Sequence, residues 1–326
     1  AMKCVVCGKE IAHGHICGKC LAEREKIAKV DSFEIIICPR CGFIRTEGTW
    51  KMINLEDAIR ESIISSLYVF ENFNVKEVLI DLQSKLLILK GQLYGDDIDL
   101  QVPFTYKIKR ITCQRCSREA GGYYEAILQL RAENRKLRDQ EVLVAKRVIE
   151  EVLEKEIENE KAFLTKVEER KEGIDFYFGS RDIGRKVSKI VAKELGGKIT
   201  ESKKLSGRTD GRDMYRFTYL VRLPSYENGD VVLKGGKFCV VKNQKIAKGV
   251  DIHTGKDVNV SDSKLIAKSC DLEEGVIINV DESVAEIICN DGRVILTEKP
   301  YGASLGDDVL IFEYNDKYYS FTKKIL

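Results

Sequence analysis

Eight of the chain's eleven cysteines fall into four Cys-x-x-Cys pairs: Cys4/Cys7, Cys17/Cys20, Cys38/Cys41 and Cys113/Cys116. Zinc takes four soft or borderline ligands in a tetrahedron, and a two-residue spacer lets one tight turn aim two thiolates at one metal. Eight such thiols make two four-coordinate sites, hence two zinc ions. Gly8 and Gly42 follow directly on two of the pairs, where a knuckle turn benefits from a residue without Cβ. A disulfide framework is the rival reading, but it suits short secreted chains and nothing here points to secretion.

Four thiolates around one ion leave no open position for water, which makes such sites structural rather than catalytic. The simplest pairing joins Cys4, Cys7, Cys17 and Cys20 in one site and Cys38, Cys41, Cys113 and Cys116 in the other; an interleaved arrangement satisfies the spacing too. Closing the long second loop is tolerable, since each doubling of loop length costs about 0.6 kcal/mol while structural zinc offers roughly 10 kcal/mol or more. His13 and His15 could replace a thiol, but beside a full set of cysteines they read as surface histidines. Cys239, Cys270 and Cys289 stand alone in strand-like segments and read as small buried hydrophobes. The metal would replace a core that a few dozen N-terminal residues cannot build.

The elements that must position these groups are framed by composition. At 37.0 kDa and 44% hydrophobic residues the chain can bury real cores, and its length suggests roughly two to four domains. It has no apolar run approaching the roughly 20 residues that cross a bilayer, and no signal peptide opens it. A soluble, cytoplasmic protein without membrane contact is expected. A third of the residues are charged, yet the net charge is only +2, so a nucleic-acid signal has to be local.

Between the third and fourth cysteine pairs, "NLEDAIRESIISSLYVF" (54–70) sets Leu55, Ile59, Ile63 and Leu67 on one helical face behind an Asn54 N-cap. "VKEVLIDL", "SKLLILKGQLY" and "IDLQVPFTYKIKRI" then read as three strands, the last running into Cys113. This α/β insert occupies about residues 49–107 of a zinc-binding domain spanning 2–122. In the middle domain, 123–226, "GGYYEAILQLR" reads as a strand and residues 137 to about 171 as a helix with the stripe Val142, Ala145, Ile149, Val152 and Leu153, ended by Gly173. A buried strand "IDFYFGS", a second helix "RDIGRKVSKIVAKELGG" and two strands complete a β-α-β-α-β-β order of ferredoxin-like character. Residues 227–326 show short strands between turn dipeptides, the pattern of one or two small antiparallel barrels of SH3-like or OB type. No internal repeat stands out. The fold class expected is α+β multidomain: a treble-clef or ribbon-like zinc domain with an α/β insert, an α/β middle domain and a C-terminal β-barrel domain.

The second helix carries Arg181, Arg185, Lys189 and Lys193 at four-residue intervals, with Lys186 beside them, opposite an apolar face of Ile183, Val187, Ile190 and Val191. Gly179 and Ser180 stand where that helix begins, and free N–H groups there suit a phosphate. "ESKKLSGRTDGRDMYR" adds Lys203, Lys204, Arg208, Arg212 and Arg216 in a hairpin near Tyr215, Phe217 and Tyr219. Basic residues outnumber acidic ones twelve to five from Gly179 to Arg222, the local excess a polyanion partner requires. A second cluster beside the last cysteine pair offers Arg115 and Arg118 to a folded RNA, reading shape and phosphate rather than sequence. There is no Gly-x-Gly-x-x-Gly after a strand, no Walker loop, no His-Glu-x-x-His and no nucleophile elbow. With three histidines in the chain, imidazole acid–base chemistry is poorly supplied and a binding protein is favoured over an enzyme. The alternative is a zinc-ribbon RNA-modifying enzyme acting on tRNA or rRNA.

"CPRCGFIR" (38–45), "CQRCSREAGGYYEAILQLR" (113–131) and the N-terminal cysteine quartet together resemble the nonsense-mediated mRNA decay protein three family, the adaptor for large ribosomal subunit export in eukaryotes. The resemblance implies docking on the joining face of a nearly finished large subunit, against rRNA and ribosomal proteins. It places the zinc end toward translation initiation factor six and the C-terminal barrels toward the L1 stalk, with a C-terminal part similar to the hypusine-bearing translation factor five A. Eukaryotic members continue into an acidic, leucine-rich export tail, whereas this sequence stops at "SFTKKIL" and is similar to the archaeal branch. "HTGKDV" (253–258) does not match the modified-lysine loop beyond Lys256 and reads as an ordinary Thr-Gly turn. The expectation is a non-enzymatic RNA-binding factor, monomeric when free, that acts in late assembly or quality control.

Overall fold

The computed structural model of the chain describes residues 2–12, 14–209 and 211–326, and the side chains of all of these except Thr209 and Arg212. Two compact units divide it, Ala1–Arg118 with Ile157–Glu160, and Glu119–Glu156 with Lys161–Leu326. The first holds β1 (Met2–Lys3), β2 (Glu10–Ile11), α1 (Gly18–Arg24), β3 (Ala28–Val30), β4 (Phe33–Ile37), β5 (Ile44–Thr46), β6 (Thr49–Lys51) and α2 (Leu55–Ser65). It continues through β7 (Leu67–Val69), β8 (Phe73–Asp81), β9 (Leu86–Leu93), β10 (Asp96–Pro103), β11 (Tyr106–Arg110) and α3 (Gln114–Ala120).

Asn54 caps α2 by accepting from the Asp57 amide at 2.8 Å. Ala58, Ile59 and Ile63 are the buried face; Leu55, expected among them, is exposed. The helix also ends before Leu67, which enters β7 and pairs with Val30 of β3. α2 and the β8–β9–β10 meander share one core built on Phe73, Leu87, Leu89, Leu93 and Phe104. The single strand expected over residues 98–111 is two. Pro103 cannot donate to a ladder and closes β10, after which β11 leaves the meander and runs parallel to β4 in the sheet β11-β4-β5-β6.

The second unit begins with β12 (Ala126–Ala132), α4 (Asp139–Lys155), β13 (Leu164–Arg170), β14 (Gly173–Phe178), α5 (Arg181–Leu195), β15 (Lys198–Thr209) and β16 (Arg212–Leu223). α4 stops at Lys155, well short of 171. The segment after it becomes β13, because Leu164–Arg170 finds a ladder against β14, and a tertiary partner overrides local helix propensity. Gly173, expected to end the helix, instead opens β14 directly after the β13–β14 turn, at φ +149°. The sheet order β13-β14-β12-β16-β15 is a pair of interleaved β-α-β crossovers with one extra strand. β16 pairs parallel with β12 and stands between it and β15. α4 and α5 pack through Ala145, Ile149, Val187 and Val191 on the face bearing Leu128, Phe176 and Tyr219.

Ten further strands follow: β17 (Val231–Lys234), β18 (Lys237–Asn243), β19 (Lys248–Asp251), β20 (Asp257–Asn259), β21 (Lys264–Ala267), β22 (Glu273–Val280), β23 (Val284–Cys289), β24 (Val294–Glu298), β25 (Asp308–Tyr314) and β26 (Lys317–Thr322). They form two five-stranded antiparallel sheets, β20-β19-β18-β17-β21 and β24-β23-β22-β25-β26. The sheets share a core in which Phe238 meets Phe312 and Tyr319 at ring distances of 5.2 and 4.4 Å. In the second sheet the edge strands curl together until the Thr297 and Ser320 hydroxyls lie 2.8 Å apart. No described backbone pairing closes either sheet, so the closed barrels expected here are open, curled sheets. The chain as a whole is mainly β, with five α-helices among the described residues. No described helix is long and apolar enough to cross a membrane.

Candidate metal centres and basic surface

The cysteines gather as two clusters, Cys4–Cys7–Cys17–Cys20 and Cys38–Cys41–Cys113–Cys116, with the four sulfurs of each within 4.8 Å of one another. His15 is exposed and belongs to neither, and His13 lies outside the described residues. Each cluster is built the same way. In the first, Cys4 N–H donates to the Lys9 carbonyl at 2.8 Å and Gly8 N–H to the Cys4 carbonyl at 2.9 Å. Cys17 N–H then donates to Cys4 Sγ at 3.3 Å. In the second, the corresponding bonds run from Cys38 to Phe43 at 2.8 Å, Gly42 to Cys38 at 2.9 Å, and Cys113 N–H to Cys38 Sγ at 3.4 Å. The first pair of each cluster is a hairpin knuckle with glycine in the left-handed region, φ +73° at Gly8 and +75° at Gly42. The second pair sits at the start of a short helix. The repeat absent from the sequence is thus present in three dimensions.

These residues fit zinc. A tetrahedron with Zn–S bonds of about 2.3 Å has sulfur–sulfur edges near 3.8 Å; Cys7 and Cys17 are 3.6 Å apart, and Cys41 and Cys113 3.8 Å. The Cys17 amide, helped by those of Cys7 and Val6, draws the Cys4 thiol down to about 6. Burial opposes ionisation of Cys38, yet the amides of Cys113, Cys41 and Arg40 bring it to about 6 as well. The thiols of Cys20 and Cys116 move up, Cys20 through hydrogen bonds to Cys17 and Cys7 and Cys116 chiefly through burial. Four crowded thiols cannot all ionise unless a cation shares their space. Each cluster could hold one zinc ion, closed and structural.

Sequence reasoning missed the group that ties the first cluster down. The buried Asp96 carboxylate accepts from the Lys19 amide at 3.3 Å and from Lys9 Nζ. The Lys9 ammonium holds that carboxyl below its usual range. Gly18 completes the contact, since a Cβ there would lie 2.0 Å from the Leu93 carbonyl oxygen. Nothing local in "YGDDIDL" separates Asp96 from its acidic neighbours.

Of the three other thiols, Cys239 and Cys289 are buried, with the Cys239 thiol pushed up to about 11 by burial. Cys270 is exposed, contrary to expectation, because it stands in a 3-10 turn, Ser269–Asp271, rather than in a strand.

The basic residues divide. Arg181 lies 4.2 Å over the Phe217 ring and pairs with Glu201 at 3.3 Å; Arg185 reaches the same carboxylate at 4.0 Å. Lys186 pairs with Glu156, whereas Lys189 and Lys193 are exposed and enter no described ion pair. Lys203 sits 5.0 Å over Tyr215 on the helix side of the sheet. Lys204 and Arg216, cross-strand partners, fall on the opposite side, where Arg216 stacks 4.1 Å over Tyr124. Arg208 pairs with Asp213 at 2.6 Å, and the Arg212 side chain lies outside the described residues. In the first unit, Arg115 donates to the Ile157 carbonyl at 3.2 Å, and Arg118 is half-buried in α3. Tyr219, grouped by its position with Tyr215 and Phe217 beside the basic hairpin, is fully buried.

Most N–H groups at the start of α5 are already taken. Ser180 accepts from Ile183 N–H at 3.3 Å, the Glu125 carboxylate takes Arg181 N–H at 3.2 Å, and Gly179 N–H bonds the Phe163 carbonyl at 3.0 Å. An internal carboxylate occupies the place expected for a phosphate. Of the three cations lining a cleft of about 600 Å³ beside Ser225 and Ser263, Arg135, Lys264 and Lys268, two are already held by carboxylates. Arg135 is held by Glu141 at 2.7 Å and Lys268 by Asp230 at 2.7 Å.

Residues 4–121 match the family described as "NMD3, N-terminal domain", and residues 123–223 match "NMD3, second domain". The chain belongs to the NMD3 family. Both cysteine clusters of this NMD3-family chain lie within the first match, and α5 with the basic hairpin lies within the second. No curated protein matches the chain. Among solved structures, a translation initiation factor eif-5a family protein from Naegleria fowleri ATCC 30863 is 14% identical, covering 29% of this chain and 90% of that one. Its TM-score of 0.18 lends it no weight.

Proposed function

We propose that this chain is a non-enzymatic, zinc-stabilised RNA-binding factor that docks on the joining face of the large ribosomal subunit during late assembly or quality control, in the cytoplasm and as a monomer when free. Membership of the NMD3 family across residues 4–223 carries the reading. The basic residues of α5 and the β15–β16 hairpin support it, as polyanion binding needs a local positive excess in a chain of net charge +2. In this reading the zinc knuckles stiffen one contact surface, and the middle domain and curled C-terminal sheets supply others. Several modest phosphate contacts on one chain multiply in effect. The zinc end would face translation initiation factor six and the C-terminal sheets, SH3-like and OB-like in this view, the L1 stalk.

The test is co-sedimentation of the purified, zinc-loaded protein with separated ribosomal subunits across a salt series. Saturable, salt-sensitive binding to the large subunit alone is expected. Equal binding to both subunits, or to neither, would overturn the proposal.

A further inference from the structure

The helices α4 and α5 cover one face of the β13-β14-β12-β16-β15 sheet, and its other face is bare. Side chains alternate along a strand. Since Leu128, Phe176 and Tyr219 point into the helix-side core, Gln129, Asp175, Tyr177, Leu220 and Arg222 share the opposite face. Two strand carboxylates stand there, Glu168 and Asp175, both already matched, and Glu172 in the β13–β14 turn lines the cavity at the end of the face. Asp175 binds Arg131 at 2.6 Å, and Glu168 binds Lys166 at 2.6 Å. By contrast Lys204, Arg216 and Arg222 are exposed and enter no described ion pair. A half-buried ring lies among these cations: Tyr124 packs edge-on against buried Tyr177 at 4.9 Å, and the Arg216 guanidinium, 4.1 Å from the Tyr124 ring centre, donates to its hydroxyl at 2.9 Å. A shallow cavity of about 430 Å³ lined by Gln129, Arg131, Leu220 and Arg222 opens at the other end of the same strand.

We infer that this bare sheet face binds a single-stranded RNA segment, separately from the α5 side. The inference rests on the RNA-binding reading above and names a surface and an RNA form that the reading does not. From Arg216 to Arg222 a strand spans about 20 Å, with unmatched guanidinium groups at both ends for phosphates. An exposed guanidinium already stacked on a tyrosine extends that stack to an unpaired base. A regular duplex hides its base faces and would gain only the charge.

The experiment is fluorescence anisotropy of the zinc-loaded full chain with labelled oligouridylate and with a blunt RNA duplex. Wild type is compared with R216E/R222E, K204E/R222E and the helix-side control K146E/K155E, two exposed lysines of α4. Each bare-face pair should weaken oligouridylate binding about tenfold or more and lower its log–log salt slope by about 1.4, or 0.7 for each phosphate no longer neutralised. The control should stay within about twofold of wild type, with all melting temperatures unchanged. Should R216E/R222E melt early through loss of the Tyr124 stack, K204E/R222E decides. Equal weakening in the control, undiminished binding in the bare-face pairs, or wild-type preference for the duplex would overturn the inference. Absent oligouridylate binding with large-subunit co-sedimentation intact sinks this inference alone. Intact oligouridylate binding without subunit binding sinks only the docking proposal.

Discussion

Cys113 donates its backbone N–H to Cys38 Sγ at 3.4 Å across 75 positions of sequence. The contact follows from strand direction: β4 and β11 lie side by side and parallel, with Ile37 opposite Arg110, so both strands deliver their following cysteines to one end of the sheet. The insert between them therefore leaves and returns at a single point, and the long loop is closed by a ladder as well as by metal.

Zinc content follows directly. The native protein should carry two ions per chain, and Cys113→Ser or Cys38→Ser should leave one. Removing the metal with a chelator should abolish the cooperative melting of the N-terminal unit, since structural zinc contributes on the order of 10 kcal/mol to such folds. Metal analysis with circular dichroism reads both, and an unaltered transition in the stripped protein would count against a structural role.

Asp96→Ala should destabilise the N-terminal unit by about 1–3 kcal/mol, because buried donors at the start of α1 lose their acceptor. Gly18→Ala should cost at least as much by forcing backbone apart, as overpacking does at about 1–3 kcal/mol. Urea denaturation would measure each, and faster zinc release should accompany both.

Acid sensitivity centres in part on Glu141. Burial alone would raise its pKa, but Arg135 and the Arg138 amide bring it below the ordinary 4.5. A carboxylate depressed in the folded state binds fewer protons there than when unfolded. Its stabilisation is full above the ordinary carboxylate range and drains as pH falls through the lowered value. Glu141→Gln should lower stability at neutral pH by about 1.5–3 kcal/mol and flatten the decline on acidification. An acid limb as steep as wild type would show that other carboxylates dominate.

Thiol reactivity should separate the three cysteines outside the clusters. In zinc-loaded protein near pH 8, iodoacetamide should label exposed Cys270 first and spare buried Cys239, whose thiol sits at about 11. Mass spectrometry of a time course gives the order.

Charge reversal on α5 is best made at Lys189 and Lys193. Arg181 is committed to Phe217 and Glu201, so reversing it would disturb packing along with any RNA contact. K189E/K193E should weaken large-subunit binding and lower the salt slope by roughly 0.7–0.9 for each phosphate no longer neutralised, with melting unchanged; a slope equal to wild type would remove α5 from the interface.

The sequence by itself determined the chemistry that depends on neighbours along the chain. A two-residue spacer is the geometry of a metal knuckle, Asn54 is a cap within reach of its own helix, and the apolar periods of α2, α4 and α5 name most of their buried faces. The tertiary structure decided what depends on distant partners. It chose the ligand sets by laying β4 beside β11, turned the end of an expected helix into β13 by offering it a ladder, and set Glu125 at the N–H groups of α5. It also sorted adjacent cations onto opposite sides of a sheet: Lys203 and Lys204 differ by one position, and in a strand one position is the difference between two faces.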